Sequence, residues 1–137
     1  MTLTDVVATA NDEALDIQGI IRGDSTFNVN GGTYNGRGNG VEFQKVDGDL
    51  TFTNVTANSS TRRGANLLGT ITGNVKFDGG SFTGDLDGIG SNNGSANIDG
   101  GTFEVTKATV TGTNGDGIAL IAISNGATVS INTENVI

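Results

Sequence analysis

The chain has 137 residues, a formal charge of −8, 34% apolar side chains and 23 glycines, with no proline, cysteine, histidine or tryptophan. That length suits one domain with a slender continuous core, and only seven Lys and Arg residues exclude the clustered basic face that nucleic acid requires. Without cysteine or histidine there is no disulfide framework, no thiolate metal site and no Asp-His catalytic pair.

Residues 1–14 stand ahead of any repeat. Leu3, Val6, Val7 and Ala10 fall at helical spacing behind Thr2 or Thr4, so the stretch reads as an N-terminal cap or lead-in, helix or strand. Asp5, Asp12 and Glu13 stand where a leader would carry a basic and then an apolar segment. No segment of the chain approaches the ~20 apolar residues of a membrane span. The sequence is therefore read as having neither a signal peptide nor membrane insertion.

From residue 15 onward one unit recurs. An apolar, polar, apolar triplet is followed, five residues after its last member, by another apolar or aromatic residue: Phe27-Asn28-Val29 with Tyr34, Leu50-Thr51-Phe52 with Ala57, Val75-Lys76-Phe77 with Phe82, Ala96-Asn97-Ile98 with Phe103, and Val129-Ser130-Ile131 with Val136. Alternation of this kind marks a strand with one buried face. Three of the intervening turns are near copies, Asn30-Gly31-Gly32-Thr33, Asp78-Gly79-Gly80-Ser81 and Asp99-Gly100-Gly101-Thr102, and supply residue types that tolerate left-handed backbone. A second apolar run precedes each triplet, at residues 17–21, 41–46, 67–71 and 118–123, with Ile89 alone in the fourth interval. Measured from Val29 to Phe52, Phe77, Ile98 and Ile131, the intervals are 23, 25, 21 and 33. The last is read as one coil with an inserted loop.

This arrangement resembles the right-handed parallel β-helix (pectate-lyase-like) superfamily, which includes pectate lyases, phage tailspikes and autotransporter passenger domains. In character it is nearest to the adhesin passenger and tailspike segments. The resemblance covers roughly residues 15–137. It implies an all-β fold, a single-stranded right-handed parallel β-helix (solenoid) of about five coils. Like residues would stack about 4.8 Å apart, with Phe27, Leu50, Val75, Ala96 and Val129 in one column and Tyr34, Ala57, Phe82, Phe103 and Val136 in another. Those aromatics are read as a core ladder and not as a sugar-stacking platform. The C-terminal strand, still in register at residues 129–137, leaves the helix open there, which points to end-to-end or trimeric association.

Functional residues are expected where coil length varies, because solenoid insertions gather on one face. Arg37, Arg62, Arg63, Asp85, Asp87, Lys107, Asn114 and Asp116 would form a line suited to an extended glycan, against the plainer reading of solvated turn residues. If the protein is an enzyme, Asp85 or Asp87 with Asp116 would be the acid pair of a glycoside hydrolase, or Arg62 or Arg63 the base of a polysaccharide lyase. Every acidic residue among them sits in a Gly- and Asn-rich turn, where Asp is common for backbone reasons. Asp85-Leu86-Asp87-Gly88 and Asn114-Gly115-Asp116-Gly117 contain only fragments of calcium loops, so no metal site or cofactor is assigned beyond weak surface calcium. Thr51-Phe52-Thr53, Thr70-Ile71-Thr72 and residues 109–113 resemble the threonine ladders of ice-binding solenoids but share no common interval. The preferred reading is a non-catalytic structural or adhesive solenoid at the cell surface or outside the cell, with polysaccharide or copies of itself as partners. The alternative is a β-helix polysaccharide lyase or glycoside hydrolase.

Overall fold

The computed structural model describes residues 1–91 and 97–132. The chain winds through three or four strands per coil. The first coil holds β1 (Thr2–Thr4), β2 (Val7–Ala10) and β3 (Leu15–Ile21), the second β4 (Thr26–Asn30), β5 (Thr33–Gly36) and β6 (Val41–Val46), and the third β7 (Asp49–Thr53), β8 (Thr56–Ser59) and β9 (Ala65–Leu67). The fourth has β10 (Asn74–Asp78), β11 (Ser81–Gly84), β12 (Ile89–Ser91) and β13 (Asn97–Asp99). The fifth has β14 (Thr102–Thr106), β15 (Thr109–Gly112), β16 (Ile118–Ala119) and β17 (Ala122–Ser124), and β18 (Thr128–Ile131) follows. Each strand pairs in parallel with its counterpart one coil away, giving sheets β1-β4-β7-β10-β14-β18, β2-β5-β8-β11-β15 and β3-β6-β9-β12-β16, with β13-β17 beside the third. The chain is thus a parallel β-solenoid of about five turns.

Alternation within the strands creates the core. In β7, Leu50 and Phe52 point inward while Asp49, Thr51 and Thr53 stay half exposed. Stacking these strands builds the columns Leu3, Val29, Phe52, Phe77, Val105, Ile131 and Phe27, Leu50, Val75, Phe103, Val129. The second sheet contributes Ala8, Tyr34, Ala57, Phe82 and Val110. The third contributes Leu15, Val41, Ala65, Ile89 and Ile118. Phe52 and Phe77 stack with centroids 5.0 Å apart, and Phe82 meets Phe77 edge-on at 4.9 Å. Small Ala57 between Tyr34 and Phe82 leaves room for those rings. Burying a side chain of this size contributes about 1.5–3 kcal/mol, so the columns supply the main cohesion between coils.

The bend between the first two sheets is made by a left-handed residue in every coil: Asp5, Gly31, Asn54, Gly79 and Lys107, with φ between 50° and 71°. Their backbones link successively, Asp5 N–H donating to Asn30 C=O, Gly31 to Thr53, Asn54 to Asp78 and Gly79 to Thr106. Gly, Asn and Asp enter this conformation at little cost, whereas a lysine does so under strain.

Three details differ from the sequence reading. The fourth repeat is displaced: Phe103 occupies the Leu50 and Val75 column, Val110 takes the place beside Phe82, and Ile98 pairs with Ile71 and Ile123. The intervals among Val29, Phe52, Phe77, Val105 and Ile131 are therefore 23, 25, 28 and 26, and no coil carries a long insertion after residue 107. The extra residues fall between Ser91 and Asn97, since Ile98 lies nine positions after Ile89 while Ile71 lies six after Ala65. Residues 1–14, read as a helix or strand ahead of the repeat, are strands within it: β1 and β2 pair in register with β4 and β5 as a coil like the others. Ala96 and Val136, placed in the columns above, lie outside the described residues.

Candidate functional site

The turns between the second and third sheets bring most of the expected site residues together. Backbone bonds run up this corner, Ala14 N–H to Asn39 C=O, Gly40 to Arg63, Gly64 to Asp87 and Gly88 to Asp116. Glu13, Asn39, Arg63, Asp87 and Asp116 therefore form one column, each followed by a small residue. Gly64 has to be glycine, because a Cβ there would lie 2.6 Å from Thr83 N and 2.7 Å from Gly88 O. Any side chain would force the second and third sheets apart.

Most polar groups of the column are spent on one another. The Arg63 Nε donates to Asp87 Oδ2 at 2.6 Å, with the two side chains 13% and 11% exposed. Asp87 Oδ1 accepts from the Asp116 backbone N–H at 3.1 Å, so both carboxylate oxygens are engaged. Asp85 Oδ1 accepts from Asn114 Nδ2 at 2.7 Å on the next coil. Fully buried Asn39 accepts from Arg63 N–H at 3.2 Å and donates its amide to Glu42 Oε2 at 2.6 Å and Glu13 Oε1 at 3.3 Å. Asn66 donates to the same Glu42 oxygen at 2.8 Å. Ser59 Oγ accepts from Arg62 N–H at 2.7 Å and donates to Gly38 C=O.

Burial raises the Glu13 carboxyl above its usual range, opposed by a backbone hydrogen bond and reinforced by the charges of Glu42 and Asp12. Burial likewise raises the Tyr34 phenol, aided by Asp5, and its hydroxyl has no hydrogen-bond partner among the described residues. Among the described residues no group of three or more carboxylates is arranged to hold a metal ion.

Of the eight residues placed on one line, seven lie at this corner: Arg37, Arg62, Arg63, Asp85, Asp87, Asn114 and Asp116. Lys107 does not. It sits at the opposite bend with Gly79 and Asn54, because residue 107 continues the left-handed column. Glu13, Asn39, Glu42 and Asn66 were missed, although the repeated polar-Gly pairs Asn39-Gly40, Arg63-Gly64, Asp87-Gly88 and Asp116-Gly117 mark the column in the sequence.

Arg37 and Arg62 are exposed. Arg37 is one of the residues lining an open depression of about 390 Å³, with Thr9, Ala10, Asn35, Gly36, Asn58, Ser59 and Ser60. Its lining comes from three successive coils, where Thr9, Asn35 and Asn58 stack on the outer face of the second sheet. The Asn58 amide donates to Asn35 Oδ1 at 2.9 Å. That outer face, made of Val7, Thr33, Thr56, Ser81, Thr109 and Thr9, Asn35, Asn58, Thr83, Thr111, carries no ionisable side chain. Tyr34, Phe43, Phe52, Phe77, Phe82 and Phe103 are all buried in the core. The chain, a parallel β-solenoid by its strand pairing, matches no known family, no curated protein and no solved structure.

Proposed function

We propose that this chain is a non-catalytic structural or adhesive β-solenoid, a segment of an extracellular stalk or adhesin related to the right-handed, pectate-lyase-like β-helices, with glycans or further coils as partners. The observation that carries this reading is the fate of the corner carboxylates. Asp87, the best candidate for an acid or nucleophile, has one oxygen on Arg63 and the other on a backbone amide of the next coil. A group held this way acts as a coil-to-coil tie. Asp85 plays a similar part with Asn114. Core-column side chains left open at the last coils, Ile123 at 54% and Ile131 at 42% exposure, support docking of a further coil, whether from a longer chain or a second copy.

The test is incubation with acidic and neutral polysaccharides, following polymer length and protein mass by size exclusion with light scattering. Polymers of unchanged length, with the protein co-eluting or self-associating, are expected. Shortening of a polymer that is lost in Asp85→Asn, Asp87→Asn or Asp116→Asn would overturn the reading in favour of the enzyme.

A further inference from the structure

The turn leading into β18 carries a residue pair with chemistry of its own. Asn125 and Gly126 both take left-handed backbone, φ 52° and 74°, and Ala127 N–H closes the turn on Ser124 C=O at 3.1 Å. Positive φ at both central positions defines a primed turn, and Asn followed by Gly is the pair that enters it most cheaply. The same pair is chemically labile, because a glycine has no side chain to hinder attack by its nitrogen on the preceding side-chain amide. Reactivity then depends on whether that nitrogen is free.

Elsewhere the stacking of coils ties the nitrogen down. Gly31 N–H, after Asn30, donates to Thr53 C=O at 2.8 Å, and Gly40 N–H, after Asn39, donates to Arg63 C=O at 3.0 Å. Asn39 is also fully buried. Gly36, after Asn35, is buried inside β5 between β2 and β8. Gly115, after Asn114, is packed so closely that a Cβ on it would lie 2.5 Å from Leu86 O and 2.8 Å from Asp87 Oδ1. Gly126 differs from all of these. It is exposed, its N–H has no acceptor among the described residues, and nothing lies within 4 Å of where its Cβ would be. Asn125 is exposed as well, and its amide donates to Asp99 Oδ1, the oxygen that also accepts from Ser124 Oγ at 2.9 Å. Those two bonds tie the fifth coil to the fourth.

We propose that Asn125-Gly126 is a self-modification site, at which the free Gly126 nitrogen closes on the Asn125 side chain and converts it to aspartate and isoaspartate. The Gly126 nitrogen gives its proton to solvent base and bonds to Asn125 Cγ. The Cγ–Nδ2 bond breaks and ammonia leaves, its third proton taken from solvent. Water then opens the cyclic imide at Cγ, giving aspartate, or at the Asn125 main-chain carbonyl, giving isoaspartate with the chain routed through Cγ. One amide and one water are consumed, one carboxylic acid and one ammonia are released, and no other reactant is required. Either product sets a second carboxylate near Asp99 in place of a donor, and isoaspartate adds a methylene to a two-residue turn. The Asn125 tie is thereby replaced by like-charge repulsion.

The test is incubation of the whole chain in mildly alkaline buffer, folded and in urea, with peptide mass mapping of each Asn-Gly pair over time and enzymatic methylation to count isoaspartate. In urea the pairs are expected to convert at similar rates. In the folded chain Asn125 is expected to convert about ten-fold or more faster than Asn30 and Asn39, whose glycine N–H must first leave a backbone acceptor. It should also run ahead of Asn114, and its rate should rise with pH. Asn125→Asp, which copies one product, is expected to speed hydrogen exchange in β17 and β18 and leave β7 unchanged. Conversion of Asn125 in the folded chain no faster than that of Asn39, or conversion seen only in urea, would overturn the assignment. Unchanged exchange in Asn125→Asp would overturn the part given to the tie.

Discussion

Cutting the Arg63–Asp87 tie separates a structural corner from a catalytic one. Removing one member of a buried ion pair costs about 3–5 kcal/mol, and an exposed pair is worth about 0–1 kcal/mol. With side chains 13% and 11% exposed, this pair lies nearer the buried limit, so Asp87→Ala is expected to cost about 2–3 kcal/mol. The variant leaves the Arg63 guanidinium and the Asp116 N–H without their acceptor. Arg63→Ala should cost a similar amount, and the double variant should cost clearly less than the two together, since each single change already removes the shared contact. Against the stability of about 5–15 kcal/mol usual for a domain, such losses move a urea midpoint by about 1 M or more. Gly90→Ala is an independent probe, because its Cβ would lie 2.7 Å from Asp87 Oδ2 and 2.8 Å from Arg63 Nε. It should destabilise the parent chain and have a smaller effect once Arg63 is alanine. Urea unfolding followed by circular dichroism measures all five. Single variants within about 0.5 kcal/mol of the parent, adding independently, are what unconnected surface positions give and would refute the tie.

Phe77, fully buried and in ring contact with Phe43, Phe52, Phe82 and Phe103, should cost about 3–5 kcal/mol as Phe77→Ala in the same unfolding assay. Lys107→Gly is expected to raise stability by about 0.5–1 kcal/mol, because glycine takes the left-handed φ of 55° without strain; a drop in the urea midpoint would count against it. Glu13 has its folded-state pKa raised by burial and by Glu42 and Asp12. Its contribution is therefore fully favourable below its unfolded pKa and is lost as pH rises through the raised folded value. Glu13→Gln should accordingly flatten the fall in melting temperature between pH 4 and pH 7, and an unchanged pH profile would contradict that.

Period-two alternation at Leu50-Thr51-Phe52 and Val75-Lys76-Phe77, spaced by glycine turns, was enough to establish strands, a buried face and a solenoid, because side-chain direction in a strand follows from local geometry. It was enough for the first three repeats in register, those on β4 and β5, β7 and β8, and β10 and β11, and for gathering seven of the eight candidate residues at one corner. The fourth repeat went astray at Asp99-Gly100-Gly101-Thr102-Phe103, a near copy of Asp78-Gly79-Gly80-Ser81-Phe82 that turns a different bend. Both segments carry the same turn chemistry, and only pairing across coils tells them apart. Asp78 pairs with Thr106, and the left-handed position above Gly79 is held by Lys107, a residue with no local turn signal. The same limit applied to the site. That Asp85 and Asp87 are acids is written in the chain, but that Asp87 is tied to Arg63 twenty-four residues earlier, while Arg37 has no ion pair among the described residues, depends on which coil lies above which. Local geometry specifies strands and turns, and stacking register, set by the packing of one coil on the next, decides which charges meet.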